Sequence, residues 1–487
     1  MMGQAFGFAP FASRGLPAYD PSMHSQPALE GNSGESVRLP RVVLLMLACY
    51  LLLVWFGGGP TVDVTSLDEW LMLLALAPVV LGTAALTARA THPPLIRLAM
   101  LAAVLLPAIP LTQLLVLPAW VGGWSSVRTD LAADLRVSGI TSGPQAWTLW
   151  PETTTRALLA LLPALGCFLC ALSLGKTQRR RLALLVLGLV LANLVFGLFQ
   201  VGLPATSSLR LYSNNGSGIG GVLVNSNHQG TALIVGMLLG FGLWSQERRQ
   251  HRQRVQPLGL KSAAYATASF ACLAAVPLTD SSGAMLIAVI AFGAGVFATG
   301  LLSLRRIRNN RAGVVAAIGV VAMLALGLLS AQRWMYLGGT DAMRYALARE
   351  VTALGVRHAP FGSGLGTFVD SFAQSASPQF QRGEYINHAH NEFAQWWFEA
   401  GWPGLALLAF ALTLLGVAGW RLLREHREPV AIGCWLAVVS MLAHSWVDFP
   451  LRTLSLMSIG GLLAGMSLAA ASRPANRSPA AHEAAMP

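Results

Sequence analysis

Residues 176–198 read KTQRRRLALLVLGLVLANLVFGL. Lys176 and Arg179–Arg181 crowd the first turns, and the run Leu182–Leu198 that follows carries no charge at all. Leu98–Leu106 is likewise uncharged. About twenty apolar residues make a helix long enough to cross the hydrocarbon of a bilayer. The chain as a whole is 54% hydrophobic and 11% charged, against roughly a quarter charged in soluble domains. A closed barrel would need short segments of alternating polarity, and none is present. The expected fold class is therefore all-α, a polytopic integral membrane protein.

Twelve candidate spans begin near Val42, Trp70, Leu95, Ala157, Leu182, Gly230, Ala263, Ala284, Gly313, Pro403, Val430 and Thr453. Charge tests that count. With the N-terminus inside, 23 of the 33 basic residues fall on inner segments, in clusters such as Arg248–Arg254 and Arg305–Arg311, and 14 of the 21 acidic residues fall outside. This is the bias of the positive-inside rule, and a wrong count would invert every later loop. Both ends are expected in the cytoplasm. The expected organisation is a disordered tail over 1–37, spans 1–9 over 38–332, an extracytoplasmic catalytic loop over 333–402, spans 10–12 over 403–471 and a second tail over 472–487. The first 37 residues lack an apolar core and do not read as a signal peptide.

The net charge of +12 does not point to nucleic acid, because the basic residues sit between apolar runs with no aromatic–basic or zinc-finger pattern. Cys49, Cys167, Cys170, Cys272 and Cys434 all lie in apolar runs and read as small buried hydrophobes.

Two outer segments are too long to be connectors, about 118–156 and about 333–402, and long loops on a rigid scaffold concentrate function. The outer basic residues are Arg128, Arg136, Arg156, Arg210, Arg333, Arg344, Arg349, Arg357, Arg382 and Arg452. An arginine there runs against the topology signal, either as a solvated loop residue or as a partner for an anion. The guanidinium fork suits phosphate, donating two parallel hydrogen bonds from a group that never deprotonates.

Of the outer histidines, His228, His358, His388, His390 and His444, two lie in Asn387-His388-Ala389-His390-Asn391-Glu392. Ala389–Ala400 reads as a short helix with Phe393, Trp396, Trp397 and Phe398, broken by Gly401-Trp402-Pro403-Gly404 where the tenth span starts. His390 then stands near a helix start at the membrane surface, where an imidazole can act as a general base or simply cap the helix. His388 and His390, with Glu384 and Glu392 nearby, also leave a metal pair open. Asp63, Asp68 and Glu69 in the first outer loop suggest either a metal-holding acid or plain outer acidity. Few ionisable residues fall mid-span, which disfavours an ion-coupled transporter. A transporter and a scaffold without chemistry are the competing classes.

His390-Asn391, nine residues, then Gly401-Trp402-Pro403-Gly404 resembles the H-N-x9-G-x-x-G signature of the O-antigen ligase and polymerase superfamily. Three further segments are similar to that family: Asn225-Ser226-Asn227-His228; Arg344 followed by His358-Ala359-Pro360-Phe361-Gly362-Ser363-Gly364-Leu365-Gly366-Thr367-Phe368; and His444-Ser445-Trp446-Val447-Asp448-Phe449-Pro450-Leu451. The resemblance runs from roughly Thr154 to Leu463. One departure is Asp280-Ser281-Ser282-Gly283, where the family often has Ser-Arg.

The resemblance implies an inverting, metal-independent membrane glycosyltransferase of bacterial polysaccharide biosynthesis, without a cofactor, in the inner membrane with its site on the periplasmic face. Its donor would be a glycan on undecaprenyl pyrophosphate. Its acceptor would be a sugar hydroxyl, on lipid A–core for a ligase or on a lipid-linked repeat for a polymerase. Protein O-oligosaccharyltransferases share the family, and a lipid-linked sugar flippase is the non-enzymatic alternative. His390 corresponds to the general base and Arg344 to the loop arginine on pyrophosphate. Arg210 is the second phosphate arginine, and Arg349, His388 and Asn391 are expected to bind substrate.

Overall fold

The computed structural model describes residues 33–59, 66–140, 143–204, 206–207, 209–210, 218–257, 259–302, 340–381, 386–425 and 428–473. In chain order the helices are α1 (Ser33–Gly57), α2 (Ser66–Leu74), α3 (Leu76–Thr87), α4 (Pro94–Leu114), α5 (Ala119–Gly122), α6 (Ser126–Val137), α7 (Pro151–Ala160), α8 (Leu162–Ser173) and α9 (Lys176–Val201). After these come α10 (Ser226–Gln253), α11 (Leu260–Ala275), α12 (Ser282–Ala298), α13 (Thr340–His358), α14 (Phe368–Ser375), α15 (Pro378–Gln381), α16 (Glu392–Arg424), α17 (Pro429–His444) and α18 (Leu454–Ala471). A two-residue antiparallel ladder joins β1 (Val116–Leu117) to β2 (Gln145–Ala146).

Eight of the described helices, some of them segments in tandem, are long and apolar enough to cross a membrane, and α12 and α17 are shorter apolar helices. The expected ninth span, from Gly313, lies outside the described residues, as do Arg333 and Arg382. Large apolar side chains such as Leu45, Val104, Val195 and Phe199 face outward, as an apolar solvent allows and water does not.

Between helices that lipid would otherwise solvate equally well, association rests on close van der Waals packing through small residues. The contact of α8 with α18 is of this kind. A Cβ on Gly461 would stand 2.4 Å from the Ala164 carbonyl oxygen, and one on Gly465 would stand 2.6 Å from that of Phe168. The crossing of α10 with α17 uses Gly433, whose Cβ would lie 2.6 Å from the Leu238 carbonyl oxygen. Helix α10 is the buried axis, with Leu233, Ile234, Leu238 and Phe241 all inaccessible.

The two ends of α10 differ in charge. At its C-terminal end Glu247 pairs with Arg180 at 3.1 Å, and Arg179 pairs with Glu428 at 3.0 Å. Arg421 and Arg424 close α16 on the same side. At its N-terminal end Thr231 meets His444. Thr231 and Glu247 are about 24 Å apart along the axis at 1.5 Å per residue, so the basic clusters and His444 occupy opposite ends of the bundle.

Candidate active site

The segment before α16 is stitched down by its own sequence. Asn391 caps the helix, its Oδ1 accepting from the Ala394 amide at 3.0 Å. The Glu392 amide donates to the Ser445 carbonyl at 2.8 Å, and the Leu451 amide donates back to Glu392 Oε1 at 2.7 Å. The Ala389 amide donates to Gln395 Oε1 at 3.1 Å. These bonds join the 386–391 segment to the turn between α17 and α18.

Phe449, in that turn, is the hub. The rings of His388, His390 and His228 lie 4.3, 4.9 and 5.2 Å from its ring. His390 Nδ1 stands 3.3 Å from Asp448 Oδ1, an ion-pair contact rather than a well-aligned hydrogen bond. Asp448 is 1% exposed and His390 is 26% exposed, so the carboxylate is sealed while the imidazole can be reached. With Nδ1 facing Asp448, Nε2 has no partner among the described residues. His390 also holds φ at +49°, a left-handed conformation that is uncommon for a side chain of this size. Such strain gathers at functional positions.

The surroundings set the charges. Burial alone would raise the Asp448 carboxyl. Contact with His390 and the charges of His228 and His444 outweigh it and hold the group well below the usual carboxylate range. His388 is pushed down to about 3, first by burial and then by Arg452 and His390, and so is neutral at neutral pH. His444 is buried with Nδ1 2.6 Å from Thr231 Oγ1, and His228 is inaccessible with neither ring nitrogen hydrogen-bonded among the described residues.

The candidate arginines divide. Arg344, on α13, is half-buried and within electrostatic reach of His444. Arg349 is exposed on the same helix, and five residues at 100° each turn it about 140° from Arg344. Arg210 donates through Nε and Nη2 to the Leu203 carbonyl at 3.2 and 2.9 Å, and none of its described contacts reaches His390 or Arg344. Arg452 is a cation that motif reading did not single out. It pairs with the buried Glu399 at 3.0 Å, and Glu399 accepts from Gln395, 3.4 Å from His388 Nδ1. The His388 and His390 rings both pack on Phe449, and among the described residues no group of three or more His, Cys, Asp or Glu is placed to hold a metal ion.

The glycine-rich loop is scaffold for this site. Gly401 takes φ +59°, the kink that interrupts α16. Into that kink dock Ser363 and Gly364, their amides donating to the Phe398 and Glu399 carbonyls at 2.9 and 3.1 Å. Gln113 of α4 clamps the junction. Its Nε2 donates to the Phe361 and Glu399 carbonyls at 2.7 and 2.9 Å, and its Oε1 accepts from the Leu365 amide at 2.9 Å.

Residues 267–409 match the family model for O-antigen ligase. This segment, less than a third of the chain, is similar to the O-antigen ligase family and supports the resemblance to the O-antigen ligase/polymerase superfamily. Among curated proteins none matches the chain. The O-antigen ligase match holds Arg344, the glycine-rich loop, His390 and the Gly401 kink. Asp448, Phe449, His228 and Arg210 lie outside it, so the O-antigen ligase segment is completed by the turn after α17 and the start of α10.

An apolar groove of about 450 Å³ leads away from this site between α4, α8, α16, α17 and α18. Leu407, Met441, Met457 and Gly461 line its length, with Glu392 and Arg452 at its head.

Proposed function

We propose that the chain is a membrane glycosyltransferase of the bacterial inner membrane. It moves a glycan from undecaprenyl pyrophosphate to a sugar hydroxyl on the periplasmic side, and both of its termini are cytoplasmic. The observation that carries this is His390, reachable by solvent, backed at 3.3 Å by a sealed Asp448.

A hydroxyl is a poor nucleophile, so its proton must leave as the new bond forms. In this reading His390 Nε2 takes the acceptor proton, and the hydroxyl oxygen attacks the anomeric carbon. The bond from that carbon to the pyrophosphate oxygen breaks in the same displacement, which inverts the centre through an oxocarbenium-like state. Asp448 holds the ring by Nδ1 and stabilises the imidazolium, as a buried carboxylate does for a histidine base. Charge growing on pyrophosphate is met by Arg344, with Arg210 and Arg349 as further candidate cations. His388 and Asn391 border the acceptor. The polyprenyl tail lies in the apolar groove beside α16. An acceptor on lipid A–core makes the protein a ligase, and one on a lipid-linked repeat makes it a polymerase.

Complementation of a deletion strain tests this. The wild-type gene should restore surface polysaccharide and His390→Asn should not, at equal protein level in the membrane. Accumulated unattached long chains would mark a ligase and single repeats a polymerase. Full restoration by His390→Asn would refute the base assignment.

A further inference from the structure

A cleft of about 280 Å³ lies in the 115–150 segment, between β1, α5, α6 and β2. Arg128 lines it, its guanidinium 4.8 Å over the Trp147 ring and donating to the Ala146 carbonyl at 2.8 Å. Among the described residues no carboxylate pairs with Arg128. Asp130, two positions on, is taken by Arg357 at 2.9 Å. Burial pulls Arg128 down to about 10. A desolvated cation without a counter-ion is costly, and an anion in the cleft would relieve it.

Eight residues along α6, about 12 Å at 1.5 Å per residue, Arg136 lines the far end, also without an ion pair among the described residues. Trp120, 67% exposed, offers an indole face, and Gln145 and Thr129 add polar groups. A Cβ on Gly122 or Gly143, which line the cleft, would meet nothing within 4 Å. Cations at the ends, an aromatic plate and hydrogen-bonding side chains in an open trough suit a sugar carrying a carboxylate. Guanidinium matches the carboxylate, and indole matches the C–H face of the ring.

The cleft is tied to the candidate active site. Trp147 Nε1 donates to the Gly362 carbonyl at 2.7 Å, the Trp147 ring packs edge-on against Phe361 at 5.0 Å, and Ser125 Oγ donates to the Arg357 carbonyl at 2.9 Å. Gly362 is in the loop that docks on the Gly401 kink.

We propose that this cleft binds an acidic oligosaccharide segment of the glycan substrate, Arg128 taking one sugar carboxylate and Arg136 a second. That the ligand is the transferred or accepting glycan rests on the transferase reading above.

Calorimetric titration of the full-length protein in lipid nanodiscs tests it, with a glucuronic-acid-containing trisaccharide and its all-glucose counterpart as probes. Saturable binding of the acidic probe is expected, with the neutral one at least about tenfold weaker. Arg136→Gln, at an exposed position, should weaken the acidic probe about tenfold. Gly122→Phe, which fills the trough, should abolish its binding, and Arg128→Gln should do so if that variant folds. Equal affinity for both probes, no saturable binding, or wild-type binding by both Gly122→Phe and Arg136→Gln would overturn the proposal. So would equal displacement by inorganic phosphate, or by phosphatidylglycerol in the nanodisc, which would mark a headgroup site. Acidic-probe binding by a wild-type protein that transfers no glycan from an undecaprenyl-pyrophosphate donor would sink the transferase reading alone. His390-dependent transfer without acidic-probe binding would sink the cleft alone.

Discussion

His390 concentrates the chemistry and the strain of the molecule. Its left-handed backbone costs an ordinary side chain about 1–2 kcal/mol and asparagine less, so His390→Asn tests the imidazole more cleanly than His390→Ala. It should assemble as wild type by size-exclusion profile yet lose the proton-accepting ring. At the same scale, burial holds His358 near 4 and His388 near 3, against about 6.5 in an unfolded chain. Both are depressed, so between those values the unfolded state binds more protons. Their stabilisation is complete above about pH 6.5 and is lost as pH falls toward 4 and then 3. Thermal unfolding in detergent should show a loss of about 3 kcal/mol per histidine between pH 7 and pH 4. His358→Phe should flatten that slope. The His358 ring packs edge-on against Phe398 at 4.7 Å and its buried Nε2 has no partner among the described residues, so the exchange removes the titration and little else. A slope unchanged in that variant would assign the pH dependence elsewhere. His390 was legible because a motif surrounds it. Its partner Asp448 also sits in a recognisable motif, but nothing local to either stretch shows that the two meet. That pairing arises only when α17 returns its end to the start of α16.

At the scale of elements, the break in α16 is legible from Gly401-Trp402-Pro403-Gly404, and the reason for it is not. A Cβ on Gly401 would lie 2.2 Å from the Pro360 carbonyl oxygen, and φ there is left-handed. Gly401→Ala should therefore cost more than about 3 kcal/mol and be seen as loss of the monodisperse membrane protein. Gly416→Ala on the same helix, where a Cβ meets nothing within 4 Å, should be neutral or slightly stabilising and is the control. Gln113→Ala should cost about 2–4 kcal/mol, because it strips partners from two carbonyls and an amide at the loop junction. A Gln113→Ala protein with wild-type melting behaviour would mean that the glycine-rich loop holds its place without α4. A glutamine amid an apolar run gives no sign in sequence of what it will clamp. Arg210 illustrates the same limit. Its charge and its place in the chain are plain, yet a long loop leaves its reach undetermined, and the fold turns it onto Leu203.

For the whole molecule, the periodic return of apolar runs and the one-sided distribution of arginine made the polytopic plan readable without any contact information. The bundle keeps that polarity, with the Arg179–Glu428 and Arg180–Glu247 pairs at one end and His228 and His444 at the other. Single cysteines introduced at exposed positions should report it. Asp134→Cys in α6 should react with an impermeant maleimide on intact spheroplasts, and Arg181→Cys at the start of α9 only after permeabilisation. The opposite pattern would turn the site toward the cytosol. Four of the five native cysteines are buried, and Cys49 is exposed within α1, so the background is low.

The most direct test is a single-turnover assay on the reconstituted protein. A synthetic undecaprenyl-pyrophosphate oligosaccharide is supplied with acceptor glycan, and the rate of glycosidic bond formation is followed for wild type and His390→Asn. The account predicts transfer at least about a hundredfold slower in the variant with donor binding unchanged. Equal rates of bond formation in the two proteins would contradict it.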